Sequence, residues 1–462
     1  MKPTVHTALL ALLVAAPAWS QDVNVYSTTI AQMWKQDTPG FDKSTLAPAT
    51  LFLGIDATKL GDEAISFHLF GWGMADLADA STPRGKGGGD FSVGYLHYRF
   101  SQANAEIKAG RFTIYQGVGV EHVDGVSART DLKGGFAISA FGGRPVRFKA
   151  QDPLAQRDYE YQRDFIFGTR LSWRPSRLGE VGLSYLQDGT KGAEQLTQPS
   201  LGDFTRKQMG LDLKVTPLAS LDFSGRTVFD LAKHSENPTG EENTSRIAEH
   251  DYSVAVKVAD TVSFSGSFTE RNFRAYFAGT NMPSLFRADE KGKFSAFGGN
   301  LYWNPAFAPI RIVADFRHTS REIYGDADRF GAEVRWNPAD TKIQTGFGYH
   351  RISAEDVLRP GTLLPSYGLS HGELRAWVMY ERERLSASLD GILLAFDDKA
   401  NPNLNGKSSA FEAVASLGYR ASDYLKLSAD LGIGANPLYK NEARGLLRVE
   451  YRFGFVRNGG RK

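Results

Sequence analysis

The chain has 462 residues, 54 Lys plus Arg against 52 Asp plus Glu for a net charge of +2, and no cysteine. That balance excludes a polybasic nucleic-acid binder, and the missing thiols exclude disulfides, cysteine-ligated zinc, iron–sulfur clusters and covalent haem attachment. A mean hydropathy of -0.32, with no run beyond residue 20 near the ~20 apolar residues of a spanning helix, excludes a helical membrane protein and leaves open a barrel, whose strands meet lipid with every second residue.

At the start, Lys2, an apolar stretch over 8–16 and the small residues of Ala18-Trp19-Ser20 predict a secretory signal peptide over 1–20 with cleavage after Ser20. The alternative is an uncleaved anchor. The remainder, 21–462, is expected to be a single domain.

From about residue 51 the dominant pattern is period-two alternation in segments of about ten residues, the length that crosses a bilayer as a tilted strand. Phe330, Ala332, Val334 and Trp336 oppose Arg329, Glu333 and Arg335; Leu374, Ala376, Val378 and Tyr380 oppose Glu373, Arg375 and Glu381. In the last segment Leu447, Val449, Tyr451, Phe453 and Phe455 oppose Arg448, Glu450, Arg452 and Gly454. Tight connections are expected near Gly61, Gln102, Ser176, Pro217, Asp260, Ala306, Ala339, Glu383 and Ser422. They alternate with long polar stretches at 77–89, 187–205, 232–249, 272–293, 353–369 and 397–408. Short periplasmic turns facing long outer loops are the signature of an outer-membrane barrel. Three of the tight turns follow Trp-x-Pro, at Trp173, Trp303 and Trp336, an interfacial indole before a proline that stops the ladder.

Counting strands back from the C-terminus predicts an all-β transmembrane antiparallel barrel of about 22 strands. The count needs a short descending strand over 123–129 that turns at 131–134 into an ascending one over 136–141. If 115–133 is all loop and 22–34 lies outside the wall, it falls to about 20. A wall of about 22 strands is roughly 40 Å across, too wide to be filled by its own side chains. The lumen is then expected to hold water, infolded segments or another protein, which points to a channel or a sleeve.

Polar parity assigns Arg226, Arg311, Arg317, Arg335, Arg375, Arg448, Arg452, Glu333 and Glu373 to the lumen, among other charges with a slight basic tilt. Most are expected to pair across neighbouring strands; the functional alternative is a mildly anion-favouring pore. Alternation weakens and glycine is frequent between Gly110 and Arg129. There Arg111, Tyr115, Asp124 and Arg129 are the candidate constriction residues, on a segment placed to fold inward.

Ala109-Gly110-Arg111 followed by Asp124-Gly125-Val126 resembles the Gly-Arg and Asp-Gly pattern of large Gram-negative outer-membrane porins and export channels. The stretches Phe41-Asp42-Lys43, Pro48, Phe52-Leu53-Gly54 and 67–73 are similar to large barrels that include the porin component of porin–cytochrome conduits. The resemblance implies an outer-membrane location amid lipid and lipopolysaccharide, insertion by the barrel-assembly machinery, and either passive passage of small solutes or a sleeve around a multihaem cytochrome. No cofactor of the chain's own is expected. Its histidines lack metal-ligand spacing, and an outer-membrane hydrolase is the least favoured reading. The run Arg84-Gly85-Lys86-Gly87-Gly88-Gly89 lacks phosphate-loop spacing and is expected to be an outer loop, with Asp397 and Asp398 solvated or meeting cations.

Overall fold

The structure is a computed structural model that describes residues 20–456 except 37–43, 62, 79–86, 147–163, 177, 191–203, 232–246, 273–292, 323–324, 340, 356, 359–364, 367–368, 399–400, 402–403 and 438–441. The leader expected over 1–20 lies outside the described residues but for Ser20.

Alternation of apolar and polar residues makes each segment a strand with two unlike faces, and such strands bury both faces only by closing on themselves around a polar interior. The 22 wall strands are β1 (Ser20–Gln36), β2 (Pro48–Leu60), β3 (Ile65–Asp76), β4 (Gly87–Phe100), β5 (Ala105–Gln116), β6 (Gly119–Asp131), β7 (Phe136–Pro145), β8 (Asp164–Ser176), β9 (Gly179–Thr190), β10 (Phe204–Leu218) and β11 (Leu221–Asp230). They continue with β12 (Ile247–Ala259), β13 (Val262–Asn272), β14 (Lys293–Trp303), β15 (Ile310–Arg321), β16 (Gly325–Trp336), β17 (Ile343–Ala354), β18 (His371–Arg382), β19 (Leu385–Phe396), β20 (Ser409–Arg420), β21 (Leu425–Ala435) and β22 (Glu442–Val456). Every strand pairs antiparallel with its neighbours in sequence, and β1 closes the cylinder on β22 from Asp22↔Val456 to Trp34↔Arg444. The larger strand count is therefore the right one. Residues 22–34 are the closing strand, and the descending strand expected over 123–129 is longer than its alternation, spanning Gly119–Asp131.

Parity sets the faces. Leu447, Val449, Tyr451 and Phe453 of β22 are exposed on the outside, as are Phe330, Val334 and Trp336 of β16 and Leu389 and Leu393 of β19. The connections expected to be tight all gather at one end with both chain termini, joined there by the turn at Lys133–Gly135. Trp303 and Trp336 are the last residues of β14 and β16; the next residues still donate, Asn304 N to Thr261 O at 2.8 Å and Asn337 N to Pro309 O at 2.9 Å, before Pro305 and Pro338 end the ladder for want of an N–H. Trp173 of β8 stacks on Phe136 of the preceding strand, its cross-strand partner, at 6.0 Å.

Two expectations need correction. Gly87 to Gly89 are not loop: they open β4, paired with Ala75 to Gly73. Glycine is needed at the last of them, since a Cβ on Gly89 would lie 2.9 Å from Trp72 O. Asp397 is not freely solvated: Arg351 hydrogen-bonds to both of its oxygens and holds its carboxyl below the usual carboxylate range.

Candidate pore and constriction

The wall is interrupted by its own fifth and sixth strands. β5 and β6 pair with each other along their whole length, from Ala105↔Thr130 to Gln116↔Gly119. Their outer edges are shorter: β5 pairs with β4 only from Phe100↔Ala105 to Gly94↔Arg111, and β6 with β7 only from Asp131↔Ala137 to Val123↔Pro145. After a last bond from Val146 N to His122 O at 2.8 Å, residues 112–121 thus form a hairpin with two free ladder edges. Free backbone N–H and C=O groups are not tolerated in hydrocarbon, and this hairpin has turned into the lumen, where water can satisfy them.

Glycines make the bend possible. Gly110 pairs with Gly125, which pairs with Gly143, so three strands cross side by side without Cβ atoms. A Cβ on Gly125 would lie 2.1 Å from Gly142 O, one on Gly143 2.3 Å from Asp124 O, and Gly110 has a φ of 129° that disfavours any side chain.

The reach of the hairpin fixes where it lands. Six extended residues from Arg111 to Gly117 span ~20 Å, matching the ~19 Å of four strand spacings from β6 to β10. The tip does sit there, on lumen-parity residues: a Cβ on Gly117 would lie 2.2 Å from Asp212 Oδ2 and 2.7 Å from Ser184 Oγ, and one on Gly210 would lie 3.1 Å from both the Gly117 carbonyl and Val118 Cγ2. One face of the hairpin is pressed to the wall. Phe112 is 1 % exposed and Val123 0 %, packed with Val118 against Phe141, Ile166, Leu186 and Val228. The opposite face looks away from the wall, with Tyr115 77 % and Val120 55 % exposed and Thr113 hydrogen-bonded to His122 at 3.1 Å.

Bending inverts the parity rule. On a straight wall strand Arg111, Thr113, Tyr115, Val120, His122 and Asp124 would share the lipid side with Ile107 and Val126; on the infolded hairpin they form the free face. Arg111 and Asp124 are cross-strand partners joined by a two-pronged bond, Nε to Oδ1 at 2.7 Å and Nη2 to Oδ2 at 2.8 Å. Arg111 Nη1 also reaches back to Asp90 at 3.1 Å and to Phe91 O at 2.8 Å, restoring part of the connection to β4 that the ladder has lost. Arg129 does not join them. It stays in the wall with Asp131 at 3.2 Å, and with Tyr115, Lys108 and Arg170 lines a cavity of about 210 Å³ beside the bend of the hairpin.

The expected lumen charges fall into two groups. Around the seat of the hairpin they are paired and largely shielded: Arg226 donates to Glu249 at 2.9 Å, a 0 % exposed carboxylate expected in a loop but lying in β12, which also accepts from Arg271 at 2.9 Å, while Arg170 donates to Asp212 at 2.5 Å and Glu180 at 3.0 Å. Elsewhere they line open lumen. Arg335 pairs with Glu333 at 2.9 Å, Arg375 with Asp390 at 2.6 Å, Glu373 lies 3.6 Å from His350, and Arg448 lies 3.8 Å from Glu450. Arg311 stands directly opposite Arg335, and Arg317 directly opposite Arg329. Like charges in such pairs repel. Arg335 and Arg329 are neutralised by Glu333 and Asp315, whereas among the described residues Arg311 has only the Tyr302 ring, 5.0 Å away, and Arg317 no carboxylate. Arg452 shares the lumen parity of Arg448, opposite Tyr26 of β1.

Sequence reasoning placed the infolding segment but missed its seat. Arg206, Asp188 and Gln208 are largely buried lumen residues of β9 and β10; the only signal in the sequence was that their strands carry charge on the lumen parity.

No protein-family model and no curated protein matches this sequence. Among solved structures the chain is similar to Pseudomonas aeruginosa OccK5 (OpdH), with 10% identity, a TM-score of 0.44, and coverage of 94% of this chain and 99% of that one. Acinetobacter baumannii OccAB4 gives 11% identity and a TM-score of 0.43 over 95% and 99% of the two chains. The P pilus usher (PapC) translocation pore gives 10% and 0.45 over 93% and 99%. The expected resemblance to large outer-membrane porin-like barrels is met among these neighbours, as likeness of architecture alone; the barrel assignment rests on the strand pairing above.

Proposed function

We propose that this chain is an outer-membrane channel of a Gram-negative cell through which small solutes diffuse, with a preference for anions. The observation that carries the proposal is a closed 22-strand cylinder, apolar outside and charged inside, whose interior, among the described residues, is only partly occupied by its own infolded hairpin. At roughly 40 Å of backbone diameter the rest of the cross-section is left to water. The hairpin also takes up interior space that a threaded cytochrome would need, which favours the open channel over the sleeve.

Anion preference is supported by Arg311 and Arg317, two lumen guanidinium groups without a neutralising carboxylate among the described residues, each facing a second arginine across the ladder. The test is osmotic swelling of liposomes containing the refolded barrel. Small solutes should enter, singly charged anions faster than cations of the same size; vesicles that swell no faster than protein-free ones would refute the channel.

A further inference from the structure

Among the polar side chains at the seat of the hairpin, one reaches across to a charge on the hairpin itself. Arg206 of β10 stands between two carboxylates, Glu121 of the hairpin at 2.6 Å and Asp188 of β9 at 3.0 Å. The three side chains are 16 %, 17 % and 6 % exposed. Glu121 and Arg206 are 85 residues apart and belong to strands four places apart around the wall, so their contact exists only while the hairpin is folded inward.

The apolar contact does not make this ion pair redundant. Phe112 and Val123 are cross-strand partners at the root of the hairpin, next to the glycine bend, and they fix its direction of departure. In the far half Ile114 and Val118 add apolar contact with the wall, while Gly117 and Gly119 have no side chain and Tyr115 and Val120 are exposed. The charged group that reaches the wall there is Glu121, the cross-strand partner of Ile114. A charge removed from water without its partner is costly, whereas a hairpin released into a wet lumen would return Glu121 to solvent. Docking is therefore set by the pairing, while Arg206 keeps Asp188 as a partner in either position.

We propose that Arg206 is the positioning residue of this channel: by clasping Glu121 it latches the hairpin against β9 and β10, and the latched or released hairpin sets the bore. Only the last step, the bore, rests on the reading of the lumen as a conducting pore.

The protein has no cysteine, so Val118→Cys gives a single reporter at a position that is 4 % exposed. In the folded, detergent-solubilised full-length barrel this thiol should react slowly with a water-soluble maleimide. Adding Glu121→Gln should accelerate the reaction about tenfold or more, as expected of a local opening, and the charge-reversed pair Glu121→Arg with Arg206→Glu should slow it again. In planar bilayers Glu121→Gln should raise single-channel conductance about 1.5-fold, the order expected when a ~20 Å hairpin clears a lumen some 30 Å wide. Joining the tip to its seat through Val118→Cys and Gly210→Cys should return the Glu121→Gln channel to the wild-type level when oxidised and widen it when reduced. Unchanged labelling in Glu121→Gln overturns the latch whatever the conductance. Faster labelling at equal conductance overturns its control of the bore. A wild-type barrel that conducts nothing would remove the channel reading, with the labelling still deciding the latch.

Discussion

The stretch of wall from β15 to β19 and the stretch from β5 to β12 are built from the same alternation, yet their lumen-facing residues live in opposite surroundings. On the first, Arg311, Arg317, Arg335 and Arg375 are exposed to open lumen. On the second, Ser184, Asp188, Gln208, Asp230 and Glu249 are buried, Ser184 and Asp188 at the seat of the infolded hairpin. Parity decides which side of the wall a residue is on. It does not decide whether that side is wet. A charge in the first region is solvated and has little bearing on stability; a charge in the second has lost its water and depends on its partners.

Breaking the covered region should cost most. Phe112→Ala empties the best-packed contact between hairpin and wall and should destabilise the barrel by ~3–5 kcal/mol, measured by urea unfolding in lipid vesicles followed by tryptophan fluorescence. Glu249→Ala removes the fully buried carboxylate that the half-buried Arg226 and Arg271 share, with an expected loss of ~2–4 kcal/mol; a loss below about 1 kcal/mol would mean that the site is hydrated and the contrast between the two regions false. On the lipid face Val449→Arg should cost ~2–4 kcal/mol, while its lumen neighbour Arg448→Gln should stay within ~0.5 kcal/mol. Equal losses at both positions would show the faces to be misassigned. The open region should respond least in stability. Arg311→Gln with Arg317→Gln is expected to change unfolding by under ~1 kcal/mol and to lower the anion-to-cation permeability ratio about twofold, read from the reversal potential in a salt gradient.

Much of the wall was legible because lipid imposes a sharp two-way choice on every second residue. Leu447, Val449 and Tyr451 against Arg448, Glu450 and Arg452 declare their faces without any tertiary information, and Trp303-Asn304-Pro305 marks a strand end by its own chemistry. The infolding was half legible. Gly110 and Gly125 flag a place where strands approach too closely for side chains, but nothing local says that Arg111, Tyr115 and Asp124 would turn from the lipid side to the free face of a hairpin. That inversion follows from where the outer ladders stop, at Arg111 and Val123, a property of pairing with other strands. The Glu121–Arg206 contact was not legible at all. Its partners are joined through the lumen and not along the sheet, so neither periodicity nor strand register brings them together.

The most direct test of the account is single-channel recording of the folded wild-type protein in a planar bilayer. A water-filled cylinder narrowed by one hairpin should give discrete, reproducible conductance steps whose reversal potential in a salt gradient has the sign of anion preference. A preparation shown to be folded by its heat-modifiable mobility, yet silent at every protein-to-lipid ratio, would contradict it.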